Sequence, residues 1–112
     1  MAYDPGLAQR VRDALAERSG VTERKMFGGL AFMLNGNMFV GILGATLLAR
    51  VGPTRHQEAL SMKHVREMDF TGRPMRGYVF VDPKGLIEDH QLEFWVSWCS
   101  SFAATLPRRV KK

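Results

Sequence analysis

The chain of 112 residues has a single cysteine and no long apolar run. Cys99 alone cannot form an internal disulfide, which is typical of proteins from a reducing compartment. No apolar stretch approaches the roughly 18–20 residues of a membrane-spanning helix, and no basic-then-apolar leader opens the chain. We therefore expect a cytoplasmic protein that does not associate with a membrane.

Residue patterns that carry catalysis are also scarce. The histidines His56, His64 and His90 lie at no spacing that a metal site favours, and no serine, threonine or cysteine stands in a nucleophile motif. Gly28-Gly29 precedes a predicted strand rather than a helix, so it favours a bulge or a close backbone crossing over a phosphate loop. The sequence predicts a protein that is not an enzyme and that has no cofactor.

The net charge of +5 is concentrated at one end of the chain. Four cations, Arg108, Arg109, Lys111 and Lys112, lie in residues 108–112, and without these four the charge falls from +5 to +1. We predict a single domain over residues 1–107 followed by a basic tail at 108–112. A charged terminus is more often a solvated end than a binding arm, so nucleic-acid binding is the weaker alternative.

The chain does contain three short apolar strands between Lys25 and Val51. Asn35-Gly36 is a strong hairpin signal because a type I′ turn needs positive φ at both central residues, and Gly44-Ala45 is a second candidate two-residue turn. The resulting register pairs Met33 with Met38, Ala31 with Val40, Gly29 with Ile42, Ile42 with Leu47, and Val40 with Ala49.

Alternation along these strands separates two faces. One face is entirely apolar and is predicted to be the core: Gly29, Ala31, Met33, Met38, Val40, Ile42, Leu47, Ala49 and Val51. The other face is mixed: Leu30, Phe32, Leu34, Asn37, Phe39, Gly41, Leu43, Thr46, Leu48 and Arg50. A shift of one residue would exchange the two sets.

Helices are predicted at both ends of the chain. Asp4-Pro5 reads as an N-cap and first helical residue, and Ser19-Gly20 as the end of that helix. A second amphipathic helix begins near Glu88 and ends at Leu106-Pro107. Its apolar stripe is formed by Leu92, Trp95, Val96, Cys99, Phe102, Ala103 and Leu106, with Phe94 and Trp98 off this stripe.

The segment between the meander and the last helix is less regular. It predicts a short helix from Thr54 to Leu60, an irregular connection over residues 61–74, a fourth strand from Tyr78 to Val81 and a type I turn at residues 82–85. The whole pattern predicts an α+β fold of two layers, with the N- and C-terminal helices packed on an antiparallel sheet of about four or more strands.

Arg73 and Arg76 flank a Pro-Met pair in the irregular segment. If the fourth strand joins the sheet, Lys25 or Arg50 lies near them, and the four cations become candidate contacts for an anion or a partner. The alternative is that Arg73 braces its own loop against carbonyl groups or Asp69.

The mixed face of the sheet is too apolar for a surface that contacts only water. We therefore predict self-association, most simply as a two-fold homodimer. The candidate interface residues are Leu30, Phe32, Phe39, Leu48, Phe94 and Trp98. The alternative is that the last helix or residues 61–74 cover this face within one chain.

Two segments resemble the TfoX N-terminal domain family of bacterial competence regulators, also called Sxy. They are KMFGGLAFMLNGNMFVGI at residues 25–42 and DFTGRPMRGYVFVDP at residues 69–83, and the similarity extends over about residues 7–106. The resemblance implies a cytoplasmic bacterial protein with no catalytic residues. It implies a regulatory or protein-interaction module, with a partner in transcriptional regulation. Competence regulators carry a second, helical C-terminal domain, so a stand-alone version of the N-terminal domain is expected.

Overall fold

The computed structural model of the protein describes residues 3–26, 28–69, 72 and 75–108. Three helices lie within this part of the chain: α1 (Pro5–Ala14), α2 (His56–Leu60) and α3 (Asp89–Ala104). The strands are β1 (Val21–Met26), β2 (Gly29–Leu34), β3 (Asn37–Leu43), β4 (Thr46–Arg50), β5 (Val65–Glu67) and β6 (Tyr78–Val81). A 3-10 turn at Pro83–Leu86 precedes α3.

The six strands form one antiparallel sheet in the order β1-β2-β3-β4-β6-β5. The first four strands are a meander because each connection is only two residues long. At the second connection Asn35 and Gly36 have φ values of 51° and 85°, which confirms the predicted hairpin turn. β5 lies at one outer edge of the sheet, and β6 pairs with β4 on one side and with β5 on the other.

Helices α1 and α3 pack on the same face of the sheet, and the main hydrophobic core lies between them and the strands. Val11 on α1, Cys99 on α3 and Ile42 on β3 are each fully buried in this core. The predicted α+β class is therefore confirmed, with both terminal helices on one face of the sheet. We call this the helix face.

Local capping sets the starts of the two long helices. The Asp4 side chain accepts a hydrogen bond from the Gly6 N–H at 2.8 Å, and Pro5 follows at the first helical position. Glu88 and Gln91 form a capping box at the start of α3. Helix α1 ends at Ala14, one turn before the predicted end, because residues 15–17 continue as turns.

Two strands were not predicted from the sequence. β1 reads VTERKM and is nearly all polar, and five of its six residues are exposed, so it carries no apolar alternation. β5 has only three residues within the segment predicted to be irregular. The fourth predicted strand, Tyr78–Val81, is confirmed as β6.

The predicted register is correct between β3 and β4 but wrong over most of β2 and β3. Met33 pairs with Met38 as predicted, and a β-bulge then shifts the ladder so that Phe32 pairs with Val40. Phe39 is the extra residue of the bulge, and it joins Val40 in the core of the helix face.

The bulge exchanges the two faces of β2. Leu30, Phe32 and Leu34 share the helix face with Val40 and Ile42, whereas the sequence placed them on the opposite face. Gly29, Ala31 and Met33 consequently leave the predicted core face. The larger side chains of β2 thus fill the space under the helices, where burial of apolar area is most favourable.

Candidate functional site

The face of the sheet opposite the helices is rich in methionine. Leu48, Phe80 and Met68 form a small buried cluster on it, and Met38 and Leu43 pack around that cluster while staying partly exposed. Met33 lies on the same face because it pairs with Met38. We call these six residues the methionine face.

Met68 covers part of this face from the connection that leads to β6. Its side chain is 7% exposed, and its carbonyl accepts a hydrogen bond from the Met75 N–H at 3.0 Å. Met68 thus covers part of the second face within one chain, which is the alternative to self-association that the sequence left open. Met33, Met38 and Leu43 remain accessible because their side chains are only partly buried.

Arg50 stands at one end of the methionine face, as the last residue of β4. Its Nη1 donates to the Met38 carbonyl at 3.1 Å, so the guanidinium bridges β4 to β3. The guanidinium carbon lies 5.3 Å from the ring centre of Tyr78 and 5.5 Å from that of Phe102. Both distances are within the range of a cation–π interaction, so two rings hold this half-buried cation in place.

A second arginine, Arg55 at the N-cap of α2, stacks on Trp98, which lies one turn before Phe102 on α3. The Arg55 guanidinium carbon lies 3.9 Å from the Trp98 ring centre, and its Nε and Nη2 donate to the two carboxylate oxygens of Glu58. These hydrogen bonds lower the pKa of the Glu58 carboxyl. Arg50, Arg55, Tyr78, Trp98 and Phe102 together form what we call the arginine–aromatic cluster.

Hydrogen bonds to and from Gly77 fix the backbone near the cluster. Its carbonyl accepts from the Val51 N–H at 2.8 Å and from the Gly52 N–H at 3.1 Å, and its own N–H donates to Nδ1 of the buried His56 at 2.9 Å. The Trp98 indole donates to the Val51 carbonyl at 3.2 Å. This network joins β4, α2, β6 and α3 at one corner of the domain.

Gly52 brings this corner into contact with α3. Its φ of +92° favours glycine, and a Cβ there would lie 2.7 Å from two ring atoms of Phe102. An open cavity of about 270 Å³ lies beside it, which is slightly below the usual range of small-molecule sites. Its lining residues are Val51, Gly52, Thr54, Arg55, Trp98, Ser101 and Phe102.

The four cations predicted to converge are only partly brought together. Arg50 pairs with Tyr78, two residues after Arg76, so these two arginines belong to the same corner. Lys25 lies on β1, three strands from β4, or roughly 14 Å across the sheet. Arg73 and the tail residues 109–112 lie outside the described residues, and Arg108 is exposed.

The predicted interface residues are also placed in different environments. Leu30, Phe32 and Phe39 are at most 3% exposed and lie in the core of the helix face, so their assignment to the open face was wrong. Leu48 is on the methionine face but is 2% exposed. Trp98 is 7% exposed because it packs between Trp95 and Arg55, and Phe94 alone of these six stays exposed, at 45%.

Sequence reasoning missed three members of the arginine–aromatic cluster as site residues. Phe102 and Tyr78 were read only as apolar positions of a helix and a strand, and Arg55 received no role. The spacing of Arg55 and Glu58 matches a helical ion pair and could have placed Arg55 on α2. Nothing local predicts the stacking on Trp98, since that contact spans 43 residues of chain.

The single cysteine lies in the hydrophobic core. Burial raises the pKa of the Cys99 thiol, which lies in the core of the helix face. Among the described residues no group of three or more potential metal ligands occurs. In the same part of the chain, no helix has both the length and the apolar content to cross a membrane.

Comparison with protein families identifies a match that covers most of the chain. The family model described as the TfoX N-terminal domain matches residues 13–103, which is most of the 112-residue chain. Neither the comparison with curated proteins nor the comparison with solved structures gave a match.

Proposed function

Because the chain belongs to the TfoX N-terminal domain family, we propose that it is a non-enzymatic regulatory module that acts by binding a protein partner. The family is that of competence regulators and is not known for catalysis. The observation that supports a binding role is the methionine face, where accessible apolar side chains surround a buried apolar cluster. We infer that this face is the docking surface.

Methionine suits such a surface for a physical reason. Its unbranched side chain has three rotatable bonds and a polarisable sulfur, so it adapts to partners of different shape. Met33 and Met38 are only partly buried and lie directly opposite each other on adjacent strands. A partner that covers both side chains removes apolar area from water, at roughly 25 cal/mol for each Å² buried.

Arg50 at the margin of the face supports a partner that carries an acidic side chain. Arg50 has no carboxylate partner among the described residues, while Arg66 at the β5 edge already pairs with Asp82 at 2.9 Å. An apolar segment with one acidic side chain would bury its apolar groups on Met33 and Met38 and pair its carboxylate with Arg50. Such a charge-assisted bond is stronger than a neutral hydrogen bond.

The proposal is tested in a host strain that lacks the gene for this chain. Wild type and Met38→Glu are each returned to the strain, and competence-gene transcripts and natural transformation are measured. Met38→Glu should fail to complement because it puts a charge into the docking surface. Gln57→Glu, on an exposed position of α2, is the matched control and should complement fully. Equal complementation by both variants would contradict docking on this face, provided circular dichroism shows both to be folded.

A second candidate function, anion or nucleic-acid binding, is favoured by the arginine–aromatic cluster. Arg50 and Arg76 at the same corner, together with Tyr78, resemble the mix of cations and rings that single-stranded nucleic acids contact. Labelled single- and double-stranded DNA should then bind with a steep salt dependence, and Arg50→Gln should weaken binding and reduce the salt slope. The exposed Arg18→Gln is the control. Absence of binding at low salt would reject this candidate.

A further inference from the structure

Strand β1 leaves one edge of the sheet unpaired. It is the first strand in the sheet order and pairs along its whole length with β2 only, without a shift in register. Residues 22–26 are all exposed, and the strand contains no proline. Unpaired N–H and C=O groups along such an edge can form a ladder with another strand.

The pairing of β1 with β2 determines which backbone groups face outward. The Gly20 carbonyl accepts a hydrogen bond from the Asn35 N–H at 3.0 Å, so Gly20 and every second residue after it direct their backbone groups to β2. Met26 and Arg24 therefore direct their backbone groups to β2. Those of Glu23 and Lys25, which alternate with them, point to the outer edge.

We propose that two copies of this chain pair through β1, antiparallel about a two-fold axis at Arg24. In this register Glu23 of each copy lies opposite Lys25 of the other. The two residues have outward-pointing backbone groups, so each of the two cross-copy pairs can form both of its ladder hydrogen bonds. The inference concerns self-association and does not depend on the proposed function.

Charge complementarity selects this register over its neighbours. A shift of two residues in one direction puts Glu23 opposite Glu23 of the second copy, and a shift in the other direction puts Lys25 opposite Lys25. Like charges directly opposite each other destabilise a strand pair, whereas opposite charges stabilise it. Only the register centred on Arg24 gives two attractive pairs.

Hydrogen bonds within each copy hold the Glu23 side chain in position to pair with Lys25 of the second copy. Arg12 on α1 donates to both of its carboxylate oxygens, at 2.6 and 2.8 Å, and holds the side chain on the helix face. Each carboxylate oxygen has a second lone pair that can accept from Lys25 of the second copy. Alternation puts Lys25 on the same face as Glu23, as the pairing requires.

One contact opposes the pairing and limits its strength. Arg24 lies opposite Arg24 of the second copy at the axis, on the side of the methionine face. The interface is also small, since it consists of one strand from each copy. We therefore expect a weak dimer of the kind that small, transient interfaces form.

The dimer would join two six-stranded sheets into one continuous sheet. Both methionine faces would lie on the same side of that sheet, because a two-fold axis perpendicular to a sheet keeps each face on its own side. A partner with two apolar segments could then bind both copies at once, with the gain in avidity that linked sites provide.

Sedimentation equilibrium of the full chain tests the proposal, over protein concentrations from about 10 μM to about 1 mM. Wild type should dimerise within this range. Lys25→Glu and Glu23→Lys should each weaken dimerisation by about tenfold or more, because each turns two attractive pairs into repulsive ones. An equimolar mixture of the two variants should restore it, since a mixed dimer has opposite charges at both positions. Glu17→Lys, exposed and outside β1, should dimerise as wild type does.

Three results would overturn the proposal: a wild-type monomer at the highest concentration, dimers that both charge reversals leave unchanged, or a mixture of folded variants that stays monomeric. Glu23→Lys also removes the bond to Arg12 and could fail to fold. Arg24→Thr covers that case, because it removes the repulsion at the axis and should strengthen dimerisation several-fold. Unchanged or weaker dimerisation by Arg24→Thr would reject the register.

Discussion

Replacing Phe32 by alanine tests the bulge that assigns the faces of β2. Phe32 is 1% exposed and lies in the core of the helix face, opposite Val40. Truncating a buried phenylalanine to alanine costs about 3–5 kcal/mol, because transfer free energy is lost and a cavity remains. Small domains are stable by only about 5–15 kcal/mol, so Phe32→Ala should remove a large part of the total.

The neighbouring Met33→Ala is the matched control. Met33 lies on the methionine face and is partly exposed, so its truncation should cost about 1 kcal/mol. In a register without the bulge the two residues would exchange faces, and Met33→Ala would be the more damaging change.

Guanidinium chloride denaturation, followed by the fluorescence of Trp95 and Trp98, measures both losses. The thermal midpoint of Phe32→Ala should also fall, by more than about 12 °C for a domain near 100 residues. A loss for Met33→Ala equal to or larger than that for Phe32→Ala would refute the bulge and the face assignment that depends on it.

Three further predictions concern other parts of the fold. Gly29→Ala should destabilise the protein by more than about 3 kcal/mol in the same assay, since its Cβ would clash with the backbone carbonyl oxygen of Ile42 on β3. Gly28→Ala, at a position with a positive φ but with no atom near the added Cβ, should cost only about 1–2 kcal/mol. Equal losses of stability for the two variants would show that the clash at Gly29 does not determine the cost. Cys99 should resist alkylation in the folded protein and react on unfolding, because burial raises its pKa; rapid labelling of folded protein would contradict this. The Glu23 carboxyl has a lowered pKa because its hydrogen bonds with Arg12 favour the charged form. The stability that this pair contributes is therefore fully present above the unfolded-state pKa of Glu23, and it is lost as the pH falls through the lower folded-state pKa. When the pH is lowered from about 6 to about 3, the free energy of unfolding of Glu23→Gln should therefore fall by less than that of wild type. An equal fall in both proteins would count against a stabilising Glu23–Arg12 pair.

Much of the local structure follows from the sequence alone. The turn at Asn35-Gly36 was predictable because few residues adopt positive φ at two successive positions. The capped start of α1 at Asp4-Pro5 and the strand Tyr78–Val81 were likewise predictable, since capping and β propensity act over a few residues. The close approach at Gly29 was also anticipated, and the structure confirms it through the adjacent carbonyl of β3.

Three features required the tertiary structure. The bulge at Phe39 arises because the strands must place their larger side chains under α1 and α3, and one extra residue reverses the faces of β2 without a local signal. Strand β1 has no apolar pattern and is defined only by its pairing with β2. The arginine–aromatic cluster joins residues from β4, α2, β6 and α3, and its contacts exist only when the sheet order sets Arg50 beside Tyr78 and beneath Phe102. Turns and caps depend on neighbours in sequence, whereas faces, edges and clusters depend on which elements pack together.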